Sequence, residues 1–160
     1  MNSAPGSAVT AYIGLGANLG PASETVRQAL QDLSAIPNTE LKQCSALYCT
    51  APLDSQGPDY INAVAEISTR LAPLELLTAL QKLETLSGRT RPYRNAPRTL
   101  DLDLLLYGEL TIDSPTLVLP HPRMLQRAFV LLPLAQIAPQ RVSMAQLQAV
   151  ADQVIERIEP

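Results

Sequence analysis

The sequence has 160 residues, of which 46% are hydrophobic and 17% are charged, and its formal net charge at pH 7 is −3. A chain of this length suits one globular domain, which we expect over residues 8–160 behind a flexible tail at 1–7. The apolar content excludes a disordered protein, and the acidic net charge argues against a nucleic-acid partner. No apolar run approaches the roughly 20 residues that cross a bilayer, so we expect no membrane association.

The first half of the chain predicts a strand, a helix and two further strands. Residues 8–16 are β-branched, aromatic and apolar and end in glycines, as in a strand that enters a loop. Residues 20–36 carry apolar side chains at spacings of three and four, and Pro21 fits the first turn of a helix there. Residues 41–50 predict a second strand, and alternating apolar and polar residues predict a third strand over 59–70.

A second helix and a fourth strand follow. Leucines line one side of residues 72–88, with Pro73 at the start and Gly88 where a helix would end. After a basic loop, residues 98–108 predict the fourth strand, and residues 111–119 predict a short edge strand. The order βαββαβ indicates a ferredoxin-like α+β fold, in which an antiparallel sheet has helices packed on one face and leaves the other face free.

The last part of the chain predicts short helices. Residues 124–139 predict one or two helices broken at Pro133, because proline removes a helical N–H donor. Residues 143–158 predict a closing helical segment with Ser143 as its N-cap. Neither internal repeats nor an interdomain linker interrupt the sequence, which agrees with a single domain.

Two aspartates stand inside the apolar fourth strand, in the run RTLDLDLLLYG. On a strand, the alternate leucines face one side, while Asp101 and Asp103 project from the other with Cα atoms roughly 6–7 Å apart. Two unpaired carboxylates would repel each other, and a divalent cation or nearby arginines would remove that repulsion. Oxygen ligands of this kind favour Mg²⁺. The alternative is that both aspartates are ordinary exposed residues of a half-solvated sheet.

The loop before that strand is rich in arginine. Four arginines fall within ten positions there: Arg89, Arg91, Arg94 and Arg98. Such a cluster suits the oxygens of a polyphosphate, and Mg²⁺-holding carboxylates beside it are typical of phosphoryl-transfer sites. Alternatively, the arginines only neutralise the aspartates. The glycines of GLGANLG fit neither a dinucleotide nor a P-loop motif, so side chains would hold a nucleotide. His121, between two prolines, suits a structural role or a phosphate contact equally well.

Several motifs together resemble the 6-hydroxymethyl-7,8-dihydropterin pyrophosphokinases of folate biosynthesis. They are PRTLDLDLLLYG, PHPRMLQRAFVLLPLAQIAP, YIGLGANLG, LYCTAPLDSQGPDYINAV and LQKLETLSGRTR. Their order over about residues 10–140 agrees with the βαββαβ arrangement. The resemblance implies a Mg²⁺-dependent enzyme that transfers pyrophosphate from ATP to the hydroxymethyl group of the dihydropterin and releases AMP. The alcohol would attack the β-phosphorus without a covalent enzyme intermediate.

The resemblance also implies roles for individual residues. Asp101 and Asp103 match the pair that holds two Mg²⁺ ions with ATP, and Asp101 also contacts the pterin. Arg89 and Arg98 match arginines that stabilise developing charge and are catalytic together with the two aspartates. The residues that match ATP contacts are Gln81, Glu84, Arg91, Arg98, His121 and Arg127. The residues that match pterin contacts are Thr50 and Leu53 through the main chain, Asn62 through its side chain, and Tyr60 and Phe129 through stacking.

One departure from the family concerns the arginine loop. Family members usually have Arg-Trp-Gly-Pro-Arg where this chain reads RNAPR at 94–98, and the sequence contains no tryptophan. A second hypothesis is therefore a divergent, low-activity or inactive paralogue that binds nucleotide or pterin. In either case we expect a cytoplasmic protein, because no secretory signal is evident and the two cysteines fit reduced thiols. We expect a monomer, because no exposed apolar seam is evident.

Overall fold

The computed structural model describes residues 7–51, 58–87 and 100–158. In chain order the elements in these ranges are β1 (Val9–Ala17), α1 (Ala22–Ser34), β2 (Thr39–Cys44), β3 (Leu47–Thr50), β4 (Tyr60–Thr69), α2 (Pro73–Ser87), β5 (Asp101–Tyr107), β6 (Ile112–Asp113), β7 (Val118–Leu119), α3 (Ala128–Ile137), α4 (Met144–Ala149) and β8 (Ile155–Ile158). Within them, no helix is long and apolar enough to cross a membrane. The tail predicted at 1–7 lies outside the described residues except for Ser7.

The main sheet is antiparallel and confirms the ferredoxin-like α+β fold. Its strands run in the order β5-β1-β4-β3-β8, and β2 also pairs with β4. Strand β1 pairs with β4 along its whole length, from Val9 opposite Thr69 to Ala17 opposite Ile61, so β2 and β3 share the other edge of β4. The βαββαβ order therefore becomes a sheet with β1 and β4 at its centre.

Helices α1 and α2 cover one face of this sheet, as the alternation of the strands predicts. Leu33 of α1 and Leu76 of α2 are fully buried there. The strand residues of the same core point alternately inward: Ala11, Ile13 and Leu15 from β1, Ala63, Ala65 and Ile67 from β4, and Leu102 and Leu104 from β5. Asp101 and Asp103 consequently belong to the opposite face.

The prediction that the opposite face is free is wrong, because α3 packs on it. Val130 and Leu134 of this helix lie in one buried cluster with Tyr12 and Val64 of the sheet. The predicted break at Pro133 is wrong as well, since α3 runs through this residue. Burial of the apolar helix around the proline offsets the missing N–H donor. The helical path is interrupted instead at residue 127, whose backbone is extended with φ −125° and ψ 112°.

The strand predicted over residues 41–50 is divided at Ser45 into β2 and β3. The N–H of Ser45 donates to the C=O of Val64 at 2.9 Å. The N–H of Val64 in turn donates to the hydroxyl oxygen of Ser45 at 3.0 Å. The hydroxyl oxygen of Ser45 thus accepts the hydrogen bond that a backbone carbonyl would accept in a continuous strand. The buried backbone therefore keeps its hydrogen-bond partners at the break.

The C-terminal region differs most from the sequence prediction. Residues 111–119 form a separate hairpin of β6 and β7 and do not join the main sheet. Ser143 is the N-cap of α4, in a capping box with Gln146, but the helix ends at residue 149. The segment predicted as its continuation contains β8, which pairs with β3. The open edge of β3 explains this outcome, because its N–H and C=O groups need hydrogen-bond partners. A strand at that edge pairs with these groups, whereas a helix would leave them unpaired.

Candidate active site

Two aspartates and two glycines face each other on neighbouring strands of the face that α1 and α2 leave uncovered. In the antiparallel pairing of β5 with β1, Asp101 lies opposite Gly16 and Asp103 lies opposite Gly14. Asp101 is exposed and Asp103 is half-buried. Glycine carries no side chain, so other side chains approach β1 closely at both positions: Leu105 lies next to Gly14 and Asn62 next to Gly16.

Asn62 and Thr50 form a buried polar pair next to Gly16. Asn62, which is 4% exposed, donates from Nδ2 to the hydroxyl oxygen of Thr50 at 2.9 Å. Its Oδ1 lies 3.0 Å from the position that a Cβ at residue 16 would take. Thr50 therefore orients the amide on one side. On the other side, the absence of a side chain at Gly16 leaves space for the amide oxygen. An amide held in this way can offer its oxygen to a ligand N–H without reorganisation.

These groups line a cavity of about 320 Å³. Its aromatic residues are Tyr60, at the start of β4, and Phe129, in the first turn of α3. The guanidinium carbon of Arg127 lies 5.4 Å from the centre of the Phe129 ring, which is within cation–π range. The remaining lining residues are Gly14, Leu15, Gly16, Thr50, Ala51, Asn62, Ala63, Asp101, Asp103 and Val130. The combination suits a flat polar ring that carries a reactive group towards the carboxylates.

A second cavity of about 230 Å³ adjoins the first, and Asp103 lines both. Helix α2 contributes Leu77 to its wall, and the β6–β7 hairpin contributes residues 114–118. The remaining lining residues are Leu102, Leu104, His121 and Pro122. A carboxylate therefore stands at the junction of two spaces, one with aromatic walls and one with mainly apolar walls.

His121 is oriented by the backbone at the edge of this second cavity. Its Nδ1 accepts a hydrogen bond from the N–H of Arg123 at 3.1 Å, so the neutral ring carries its proton on Nε2. Burial lowers the pKa of His121, Asp103 acts in the opposite direction, and the positive charges of Arg127 and Arg123 lower the pKa further. The ring can thus donate from Nε2 to an anionic oxygen in either protonation state.

Glu84 and Gln81 of α2, which the sequence predicts as ATP contacts, have surroundings that differ from each other. Glu84 accepts a hydrogen bond from the N–H of Leu102 at 2.7 Å, at a point of β5 between the two aspartates. Gln81 is exposed and lines neither cavity. From this helix the second cavity receives Leu77 instead, one turn earlier.

The structure brings most of the predicted site residues together. The first cavity is shared by Thr50, Tyr60, Asn62, Asp101, Asp103, Arg127 and Phe129. Leu53, Arg89, Arg91 and Arg98 lie outside the described residues, and their roles stay predictions. Sequence reasoning missed Gly14 and Gly16 as the cavity floor, although their spacing of two on a strand is the signal. It also missed the wall formed by residues 114–118, whose sequence carries no signal beyond that of a turn.

Comparisons with known proteins show the family of this chain. Residues 12–139 match the family model for 7,8-dihydro-6-hydroxymethylpterin-pyrophosphokinase (HPPK). The chain belongs to this family. An HPPK relative, the 2-amino-4-hydroxy-6-hydroxymethyldihydropteridine pyrophosphokinase of Pseudomonas aeruginosa, is 48% identical over 129 residues, 80% of this chain and 80% of that protein. The protein of the same name from Haemophilus influenzae is 48% identical over 131 residues, 81% of this chain and 82% of that protein.

Solved structures of Plasmodium falciparum HPPK-DHPS share the HPPK fold with this chain. The wild-type protein with pteroate superimposes with a TM-score of 0.71 at 13% identity, over 96% of this chain and 46% of that one. The wild-type protein with pterin and p-hydroxybenzoate gives a TM-score of 0.65 at 14% identity, over 83% of this chain and 40% of that one. This chain spans less than half of those chains, and at such identities the likeness concerns the fold alone.

Proposed function

We propose that this protein transfers the β,γ-pyrophosphate of ATP to the hydroxymethyl group of 6-hydroxymethyl-7,8-dihydropterin and releases AMP, as a step of folate biosynthesis. The observation that carries the proposal is the place of Asp103, which lines both an aromatic cavity and a mainly apolar one. Two bound substrates would meet at this carboxylate. The names of the relatives at 48% identity agree with the reaction.

The larger cavity fits the pterin. Tyr60 and Phe129 supply aromatic surfaces for a flat bicyclic ring, and the oriented amide of Asn62 supplies hydrogen bonding to the ring edge. The hydroxymethyl group would then point to Asp101 and Asp103, which line the same cavity. Binding of the ring thereby places the attacking oxygen next to the charged end of the site.

The smaller cavity fits the nucleotide. Leu77, Leu104 and residues 117–118 give apolar walls for a purine base. His121 and Asp103 also line this cavity and would face the phosphate chain. The Nε2 proton of His121 can donate to a phosphate oxygen, because its Nδ1 is engaged by Arg123. Arg127 adds a positive charge on the side of the larger cavity.

The aspartate pair fits Mg²⁺. Asp101 and Asp103 are two residues apart on one strand, so both carboxylates belong to one sheet face, and both line the larger cavity, which supports a shared ion. Within the part of the chain that the structure describes, no group of three or more His, Cys, Asp or Glu residues could hold a metal. Water and phosphate oxygens would therefore complete the coordination, as Mg²⁺ prefers. Bound Mg²⁺ supplies neutralisation of phosphate charge and orientation of the phosphate oxygens.

In the proposed reaction the hydroxymethyl oxygen attacks the β-phosphorus, and the bond between that phosphorus and the bridging oxygen of AMP breaks. The contribution of the described residues is to hold the two substrates in line and to keep the phosphates close to positive charge. Arg89 and Arg98 are expected to stabilise the developing charge. We also propose a cytoplasmic location, which the free thiols of Cys44 and Cys49 support, and a monomeric state.

The test is formation of AMP from ATP and the dihydropterin in the presence of Mg²⁺. We expect turnover by the wild-type protein and by an Asp32→Ala control, whose carboxylate lies on α1 and pairs with Gln28. The double variant Asp101→Ala, Asp103→Ala should form no AMP above background. Binding of ATP and pterin by the wild type without AMP would refute the proposed activity and support the inactive paralogue instead.

A further inference from the structure

Gln153 holds the turn that carries two ligand-facing residues of the larger cavity. Its Oε1 accepts a hydrogen bond from the N–H of Ala128 at 2.9 Å. Its Nε2 donates to the C=O of Gln126 at 2.8 Å. One bond is made to the residue before Arg127 and the other to the residue after it. Phe129 follows directly after this turn.

Arg127 cannot cap the helix that it begins. It occupies the N-cap position of α3, where Ser, Thr, Asp or Asn commonly accepts a hydrogen bond from the first N–H groups. A guanidinium group has no acceptor, and no side-chain cap bond is formed at this position. Gln153, which is 25 residues further along the chain, supplies an acceptor to the first N–H of α3 instead. An arginine can therefore stand at a place where helix stability alone would select another residue.

The segment that delivers Gln153 is anchored on both sides of the residue. Val150, which is 2% exposed, packs against Ala128 and Leu131 in a small cluster. On the other side, Ile155 of β8 pairs with Thr50, which lines the same cavity as Phe129. The family match ends at residue 139, so this brace lies beyond the part of the chain that the family model covers.

We propose that Gln153 is a positioning residue for the pyrophosphokinase reaction, which acts by fixing Arg127 and Phe129 in the cavity wall. The inference rests on the proposed function. Gln153 itself lines neither cavity, so it would act through the turn and not by contact with substrate. The expected signature of its loss is weaker binding of the ligands that Phe129 and Arg127 face.

The test uses three variants of the full chain. Gln153→Met keeps the length of the side chain and removes both hydrogen bonds, whereas Gln153→Glu keeps an acceptor for Ala128. The control is Gln146→Met, which removes a hydrogen bond to the N–H of Ser143 in the same C-terminal segment but lies away from the turn. The measurements are the KM values for pterin and ATP, kcat, pterin affinity by fluorescence, and the thermal unfolding midpoint.

We expect Gln153→Met to raise the pterin KM and the pterin dissociation constant about three- to tenfold, the equivalent of one hydrogen bond at its usual net value. Gln153→Glu should recover part of this loss, and Gln146→Met should keep wild-type KM values even where its unfolding midpoint falls. Wild-type pterin binding by Gln153→Met, or an equal loss in Gln146→Met, would overturn the proposal. Gln153→Glu serves as the test if the methionine variant does not fold, because it loses the bond to Gln126. Wild-type pterin affinity in that variant would also overturn the proposal. If the wild type forms no AMP, only the proposed function is refuted, because the pterin affinity measured by fluorescence still tests the positioning role of Gln153.

Discussion

Replacing Gly16 with alanine adds one methyl group to the floor of the larger cavity. The new Cβ would lie 3.0 Å from Oδ1 of Asn62, closer than an ordinary van der Waals contact, and the amide must move. Gly14→Ala is the matched control, because it lies on the same strand and lines the same cavity. There the Cβ would lie 3.5 Å from the Cδ atoms of Leu105, which is a normal contact.

The cost of the Gly16→Ala change is shared between folding and binding. If Asn62 turns away, its bond to Thr50 is lost at a buried place, which costs about 1–3 kcal/mol. If pterin binding bears that cost, the pterin KM rises roughly 5- to 150-fold, since about 1.4 kcal/mol corresponds to a factor of ten. Alanine is favoured over glycine in a strand by about 0.5–1 kcal/mol, which offsets part of any loss of stability.

The assay is AMP release at varied pterin and saturating ATP, together with thermal unfolding of each variant. We expect a raised pterin KM and a lowered unfolding midpoint for Gly16→Ala, and wild-type values for Gly14→Ala. A wild-type pterin KM in Gly16→Ala would refute the reasoning. So would an equal rise in both variants, because the contact with Asn62 distinguishes them.

Three further predictions follow from single side chains. Asp103→Asn should lower kcat at least about 100-fold at saturating Mg²⁺ while the unfolding midpoint stays near that of the wild type, because Asp103 is proposed to hold the Mg²⁺ whose charge stabilisation is worth several kcal/mol; wild-type turnover would exclude a metal role. Phe129→Leu should raise the pterin KM roughly 2- to 13-fold, the equivalent of a stacking interaction of about 0.5–1.5 kcal/mol, and an unchanged KM would show that the ring does not stack. Ser45→Ala should lower the free energy of unfolding by about 1–3 kcal/mol in urea titrations, because it leaves the buried N–H of Val64 without its acceptor. The exposed Ser34→Ala should change it by less than about 0.5 kcal/mol, and equal effects of the two changes would contradict the account of the break between β2 and β3.

Local patterns in the sequence were sufficient for β1, β4 and β5 and for one wall of the site. Alternation along β5 predicted that Leu102 and Leu104 enter the core while Asp101 and Asp103 emerge on the other face, and the burial of the leucines confirms it. Side-chain direction on a strand depends only on position within that strand, so no distant residue is needed to infer it. Periodicity on α2 held for Leu76 and Leu80, which are buried, but not for Leu86, which is exposed.

The departures arose where distant parts of the chain compete for the same partners. The propensity of residues 155–158 does not decide between helix and strand, and the open edge of β3, about a hundred residues earlier in the chain, decides it. Pro133 would end an isolated helix, but the packing of α3 against Val64 and its neighbours stabilises the helix on both sides of the proline. Both outcomes depend on surfaces that exist only after the sheet has formed.

The sequence by itself thus determined the βαββαβ order, the two faces of β4 and β5, and the family, because each of these follows from local periodicity or from ordered motifs. Only the tertiary structure decided that Gly16 makes room for Asn62, that Asp103 stands between two cavities, and that Gln153 caps the helix of Phe129. The physical reason is that these contacts join residues far apart in the chain, such as Gln153 and Ala128, which are 25 positions apart, and sequence spacing does not encode such distances.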